Sequence, residues 1–323
     1  MPKNIDKHID HDTRWKEIIE QLFEYFVGFF MPDLYPLVDF EQKPEFLQQE
    51  LHQIIAVPKK KGKKINDAFV KVYLKDGTNQ WFLIHIEVQD KHETDFAERM
   101  FTYYYRIYDK FKIKKITAIA IFIGESVPKN YNRFSNEYFG TEVTYKYNTY
   151  IVKKQDEKSL LASKNPFAIA VLAALHILNT KENLDNRLKL KVALIKFIKK
   201  RAEERNFPEY VIVPLVQFVM NLMVLDCKRE SKFQEIFYKP FQKKDKMTMT
   251  EYDKQIIDGM NLAYYGETIE QREERKAKEL LEKQNRQMVL KLFYEHKWEV
   301  INIALLLGVE KEFVEKVIEE YKN

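Results

Sequence analysis

The sequence predicts an α/β domain followed by an all-helical region, and three observations carry that prediction. Two β-rich runs, DAFVKVYL at 67–74 and WFLIHIEVQ at 81–89, flank an Asp76-Gly77 turn signal. A nearly continuous β-branched run, KITAIAIFI at 115–123, follows them, as expected of a strand buried on both faces. From Ser159 onward the apolar residues recur at helical spacing.

The elements follow in order. Residues Asp12–Phe30 form a first helix, capped by Asp12 or Thr13, with Trp15, Ile18, Ile19, Leu22, Phe23 and Phe26 on one face and Pro32 past its end. A second helix is expected over about Pro44–Ile55, carrying Phe46, Leu47, Leu51 and Ile54, with Glu50 among them. The two runs around Asp76-Gly77 are then antiparallel neighbours. An aromatic and basic helix spans Asp95 to about Lys110, ahead of the buried strand, and a short strand lies near Glu142–Lys153. Helices follow at Asn165–Leu178, Arg187–Lys200, Pro208–Leu225 and Thr250–Tyr264, then an exposed charged helix at Gln271–Arg286 and a helical pair at Trp298–Tyr321. Three segments result: an α/β domain over 1–155, a helical domain over 156–268, and the charged helix with its terminal pair over 269–323.

Composition excludes several classes. A 45% hydrophobic and 32% charged content fits a globular protein, and eight glycines in 323 residues leave no room for long flexible linkers. The lone cysteine, Cys227, forms no intramolecular disulfide and anchors no zinc cluster. The N-terminus, MPKNIDKHIDHD, has no apolar leader core, and the longest apolar runs are far shorter than the ~20 residues that span a bilayer. A soluble, cytoplasmic protein without a membrane partner is expected. Net charge of +5 permits a polyanionic partner. The cluster Lys59-Lys60-Lys61-Gly62-Lys63-Lys64 just before the first clear strand is either a solvated loop or, beside a phosphate-processing site, a phosphate contact.

Chemistry concentrates on the two strands around the turn. Side chains alternate faces along a strand, so Phe82, Ile84, Ile86 and Val88 form a core row while His85, Glu87 and Gln89 share the opposite face. On the preceding strand Ala68, Val70, Val72 and Leu74 are the apolar row, and Asp67 begins the other. Hairpin pairing puts Asp67 at the same end of the sheet as Glu87 and Gln89. Two carboxylates held that close repel unless a proton or cation intervenes. A hard divalent cation with oxygen ligands fits, Mg2+ being the usual ion at phosphates, and Glu50 supplies a third carboxylate within reach.

Glu50, Asp67 opening a strand, and Glu87-Val88-Gln89 on the next resemble the PD-(D/E)XK core, a restriction-endonuclease-like mixed sheet flanked by helices. More narrowly, HDTRWKEIIEQLFEYFVGFFMPDLYPLVDF, PEFLQQEL, WFLIHIEVQ and FAERMFTYYYRIYDKF resemble the recombination-promoting nuclease / transposase (YhgA-like) family over about residues 10–125. That resemblance implies a metal-dependent DNA endonuclease linked to recombination or mobile elements. It makes Asp67 and Glu87 ligands of Mg2+, or of another divalent cation such as Mn2+ or Ca2+, with the main-chain carbonyl of Val88 as a further ligand and Glu50 assisting. Two positions depart from the superfamily pattern: Gln89 stands where a lysine is usual, and Asn66 where a proline precedes the aspartate. Glutamine orients water but neither takes a proton nor supplies positive charge.

On the next helix Arg99, Tyr103 and Arg106 share one face; the arginines either grip the nucleic-acid backbone or rim a packed helix, and Tyr103–Tyr105 read as packing. His8 and His11 read as a solvated pair, His85 as a core-edge residue, and His176 and Cys227 as core. The tail has helix-turn-helix spacing, but Glu310, Glu312, Glu315, Glu319 and Glu320 on its last helix repel phosphates, so it reads as a packing or self-association unit. Besides DNA, a second copy of the chain is therefore a candidate partner, as in a homodimer. The alternatives to the endonuclease are a catalytically silent DNA-binding or scaffolding protein with the same fold, and an interaction protein acting through its helical half.

Overall fold

A computed structural model describes residues 11–47, 68–87, 95–242 and 248–322, with strand 79–87 described by its backbone. The architecture is mixed α/β and rich in helix. It divides into two compact units, Met1–Tyr264 and Tyr265–Asn323. The expected boundary near residue 155 falls inside the first unit, where one apolar cluster runs from Trp15 to Met260.

The N-terminal helix is broken in two: α1 at His11–Gln21 and α2 at Phe23–Phe30. Leu22 between them takes φ −118° and ψ 35°, outside helical geometry. The two halves share Phe167, which also packs 6.4 Å from Trp15, but otherwise differ in their aromatic contacts. Trp15 of α1 packs edge-on against Phe218 at 5.1 Å, whereas Phe23 and Phe26 of α2 meet Phe46 at 5.5 Å and Phe167 at 5.3 Å.

The helix expected from Pro44 does not begin there. Glu45–Phe46 form a short strand, β1, antiparallel to β2 at Ala68–Tyr73, with Glu45 opposite Lys71 and Phe46 opposite Val70. Alternation explains the correction. Phe46 packs on the large core while Leu47 packs on a separate cluster across the sheet, and only an extended backbone sends neighbouring side chains to opposite faces. The remainder of that expected helix, Glu50 included, lies outside the described residues.

Strand β3, Asn79–Glu87, pairs antiparallel with β2 through the Asp76-Gly77 turn. Gly77 sits at φ +78°, and the Asp76 carboxylate accepts from the Thr78 amide at 2.8 Å. Helix α3, Phe96–Phe111, then crosses to β4, Ile116–Phe122, which lies parallel to β3. The sequence anticipated one strand near 142–153. The structure has a two-stranded hairpin, β5 (Arg133–Tyr138) with β6 (Thr141–Lys146), and then β7 (Asn148–Ile151) parallel to β4. The main sheet runs β1-β2-β3-β4-β7. One face, with Ala68, Val70, Val72, Ile119 and Ile121, joins the large core. The other, with Phe69, Ala118, Ala120 and Phe122, is covered by Phe96, Met100, Tyr103 and Ile107 of α3.

The helices that follow are α4 (Glu157–Ala162), α5 (Phe167–Asn179), α6 (Leu184–Arg205), α7 (Glu209–Leu222), α8 (Cys227–Phe233), α9 (Lys239–Gln242) and α10 (Glu251–Tyr265). α5 is buried almost throughout. α10 approaches α7 so closely at Gly259 that an added Cβ would lie 2.6 Å from the Val216 side chain and 2.8 Å from the Val213 carbonyl. His176 is buried, its Nε2 at 2.9 Å from Glu157. Cys227, expected in the core, is exposed, because the Asp226 N-cap places it in the first turn of α8, whose inward residue is Phe233.

The second unit contains α11 (Ile269–Leu290), α12 (Val300–Leu307) and α13 (Lys311–Lys322). Thr268 and Gln271 form a capping box, and Gly308 ends α12 at φ +63°. Its core is Val289, Leu292, Ile303, Ala304, Val314, Val317 and Ile318. Among the described residues, no helix is long and apolar enough to cross a membrane.

Candidate functional site

The candidate site lies where β2 begins and β3 ends. Ala68, the first residue of β2, is the register partner of Ile84, and β3 closes three residues later at Glu87. Across the parallel ladder His85 pairs with Ala120, and Glu87 with Phe122. Ala118, Ala120 and Phe122 line the face beneath α3. His85 and Glu87 therefore stand at register positions on the α3 side, while Ile84 and Ile86 stand opposite Ile119 and Ile121 of the large core. Of the expected ligands and catalytic residues, Glu87 is placed by its backbone. Asp67, Val88, Gln89 and Glu50 lie outside the described residues, as do Lys60, Lys61 and Lys63. Among the described residues, no three His, Cys, Asp or Glu side chains group to hold a metal ion.

α3 runs back over the sheet from that end. Phe96 in its first turn packs at 5.2 Å on Phe122, the register partner of Glu87, and Phe111 at its far end packs at 5.9 Å on Phe69. Arg99, one turn in, is thus close to the C-terminal end of β3, with its guanidinium 5.4 Å from the Phe96 ring. Arg106, seven residues on, sits about 10 Å farther along the helix axis. Both arginines are half-buried. Between them Tyr103 is 4% exposed. Burial raises its phenol above the ordinary value, and Arg99 and Arg106 pull it back down. Of the three tyrosines read as packing, Tyr103 is buried and Tyr104 packs against Tyr145 at 4.7 Å. Tyr105 is 55% exposed, a departure from that reading, since it faces away from the sheet.

Tyr147 is a neighbour of the site that sequence reasoning passed over. Its ring lies 6.2 Å from Phe96, its hydroxyl is buried with no hydrogen-bond partner among the described residues, and burial raises its phenol while nearby Arg99 opposes the rise. The signal available was the tyrosine alternation in TYKYNTY, which reads as an ordinary strand.

At the other end of β2, Lys71 holds Glu45 in a 2.7 Å ion pair. Hydrogen bonds from Lys71 and Tyr73 keep that carboxyl below its ordinary value. This carboxylate is committed to joining β1 to β2, and it belongs to the edge of the sheet rather than to the candidate site. No family model matches the chain, and no curated protein or solved structure is significantly similar to it.

Proposed function

We propose that this chain is a metal-dependent DNA endonuclease of the PD-(D/E)XK type, akin to the recombination-promoting nuclease / transposase (YhgA-like) family. One observation supports this reading most. β2 and β3 form an antiparallel hairpin, α3 crosses over, and β4 returns parallel to β3, the order that a restriction-endonuclease-like core calls for. In that order the start of β2, preceded in sequence by Asp67, and the end of β3 at Glu87 fall at one end of the sheet.

The donor set suits a hard divalent ion such as Mg2+: the carboxylates of Asp67, Glu87 and Glu50 and the Val88 carbonyl are all oxygen ligands. When bound, such an ion supplies a water of lowered pKa and stabilises charge on the leaving oxygen. Gln89 positions water through its amide, and Arg99 and Arg106 present positive charge to the DNA backbone. Cytosolic chemistry linked to recombination or mobile elements follows from the family likeness. Supercoiled plasmid incubated with the protein in Mg2+, Mn2+ or EDTA tests the proposal. Nicking that EDTA abolishes supports it, and intact plasmid under all three conditions overturns it.

A second reading rests on Gln89, which lacks the charge of the usual lysine: a DNA-binding protein that has lost cleavage. Two variants separate the readings. Gln89→Ala is expected to slow cleavage by the worth of one oriented hydrogen bond, about 1–2 kcal/mol in the barrier. Gln89→Lys is expected to retain or raise the rate, because an ammonium there stabilises transition-state charge. Cleavage by the lysine variant alone would make the natural protein the silent binder.

The basic run before β2 has its own signature. Replacing Lys59, Lys60, Lys61, Lys63 and Lys64 by Gln is expected to weaken DNA binding and flatten its salt dependence, by roughly 0.9 of a log–log slope unit for each phosphate contact removed. Titrations at several salt concentrations measure that slope, and an unchanged slope returns the cluster to solvent.

A further inference from the structure

The β5–β6 hairpin combines features that its own chain leaves unresolved. Its inner face packs on α3, with Phe134 stacked on Phe101 at 4.9 Å and Tyr145 tilted against Tyr104 at 4.7 Å. The outer face carries three cross-strand pairs in succession: Arg133 opposite Lys146, Ser135 opposite Thr144, and Glu137 opposite Glu142. All six residues are exposed. Like charges placed directly opposite each other destabilise a hairpin, and here that occurs twice, with cations at the base and carboxylates near the tip. Among the described residues, none of these four charges forms an ion pair.

The tip adds a second anomaly. Tyr138 is 72% and Phe139 91% exposed. Phe139 and Gly140 occupy φ +45° and φ +80°, the mirror-image turn that favours Asn-Gly. A bulky aromatic in the left-handed region is a strained choice, and such strain gathers at functional surfaces.

We propose that the outer face of this hairpin binds the same face of a second copy of the chain. The two like-charged pairs lie four residues apart, about 13 Å along the strands, with the Ser135–Thr144 hydroxyls midway at 3.2 Å. A two-fold axis through those hydroxyls lays Glu137 and Glu142 of one copy over Arg133 and Lys146 of the other, and the reverse. Four charges per copy that form no ion pair among the described residues, Glu142 accepting only from Thr144 at 3.0 Å, are thereby matched by a self-complementary, isologous contact. The tip rings then extend past the partner's cations, where a ring face attracts positive charge. DNA is the poorer occupant, since Glu137 and Glu142 sit directly behind the rings and repel phosphates. A face this small is below the ~1,600 Å² of a standard interface, so association is concentration-dependent and weakened by salt.

Charge reversal on the full chain provides the test, read by sedimentation at several concentrations. Glu137→Lys with Glu142→Lys makes the ladder wholly positive at its charged positions, and Arg133→Glu with Lys146→Glu makes it wholly negative. Each variant alone is expected to self-associate about tenfold more weakly than wild type, or less still, because like charges now face each other. An equimolar mixture is expected to recover association, since every opposed pair is then of opposite sign. All four positions are exposed, and circular dichroism verifies that both variants stay folded. Wild-type protein that remains monomeric into the upper micromolar range overturns the proposal. So do reversal variants that associate like wild type, or a mixture that does not recover. If the wild type is monomeric while Tyr138→Ser with Phe139→Asn costs DNA affinity, the tip is a nucleic-acid contact and the second-copy reading falls.

Discussion

Asp67→Ala and Glu87→Ala are each expected to remove DNA cleavage while leaving the protein folded. Losing a side chain that merely supports a metal ligand costs about 10–100-fold, so losing a ligand is expected to cost more than about 100-fold. The strands are held by the apolar rows at Ala68, Val70, Val72, Ile119 and Ile121 on one side, and by Phe69, Ala118, Ala120 and Phe122 on the other. In metal-free buffer the variants are expected to melt no lower than wild type, because in the proposed site removing one of two neighbouring carboxylates relieves repulsion. Plasmid cleavage and thermal melts with and without Mg2+ make the comparison. Wild-type cleavage by either variant would mean that the site has been placed wrongly.

The largest stability effect is expected far from that site, at Lys191 on α6. Its side chain is 1% exposed, with Nζ 3.3 Å from the Glu230 carboxylate and 4.8 Å from the Phe233 ring centroid. Burial pushes the ammonium below its ordinary value, and Glu230 pulls it back up. Tyr264 donates to the other oxygen of Glu230, and burial with the adjacent carboxylate raises that phenol. Three helices, α6, α8 and α10, thus meet on one buried polar cluster. Lys191→Ala leaves the carboxylate with Tyr264 as its one side-chain donor among the described residues and is expected to cost roughly 3–5 kcal/mol, the usual penalty for breaking a buried pair. Lys191→Met combined with Glu230→Gln keeps the volume, removes both charges and retains an acceptor for Tyr264. That double variant is expected to recover most of the loss, since hydrophobic replacements of buried pairs are often neutral. Urea midpoints at constant m-value test both statements. An unshifted midpoint for Lys191→Ala would show the pair to be energetically idle.

Local signals strong enough to decide their own conformation were legible in the chain. Asp76-Gly77 needs no tertiary help to turn, because Gly takes φ +78° freely and the aspartate accepts from Thr78. Residues 115–123 can only be a buried strand, and the run at Phe167–Asn179 is too apolar to be anything but a central helix. The acids and amide proposed for the candidate site were read as polar residues in otherwise apolar runs, and of them the structure places the backbone of Glu87.

Elements whose form depends on what they touch were decided by tertiary structure. Glu45 and Phe46 carry helix-compatible side chains, yet pairing with β2 draws them into a strand because Phe46 and the next residue, Leu47, have cores on opposite sides. Leu22 interrupts an otherwise periodic helix, a break that the apolar spacing does not signal. Lys191, one of the basic residues within the expected helix Arg187–Lys200, is buried because Glu230 and Phe233 approach from α8. Arg99 stands at the candidate site because Phe96 packs on Phe122, a contact that joins residues far apart along the chain. The sequence by itself determined which residue types were available for chemistry and where the backbone had to turn. Tertiary structure decided which of those residues meet, because a pairwise contact depends on both partners and their periodicities record only one.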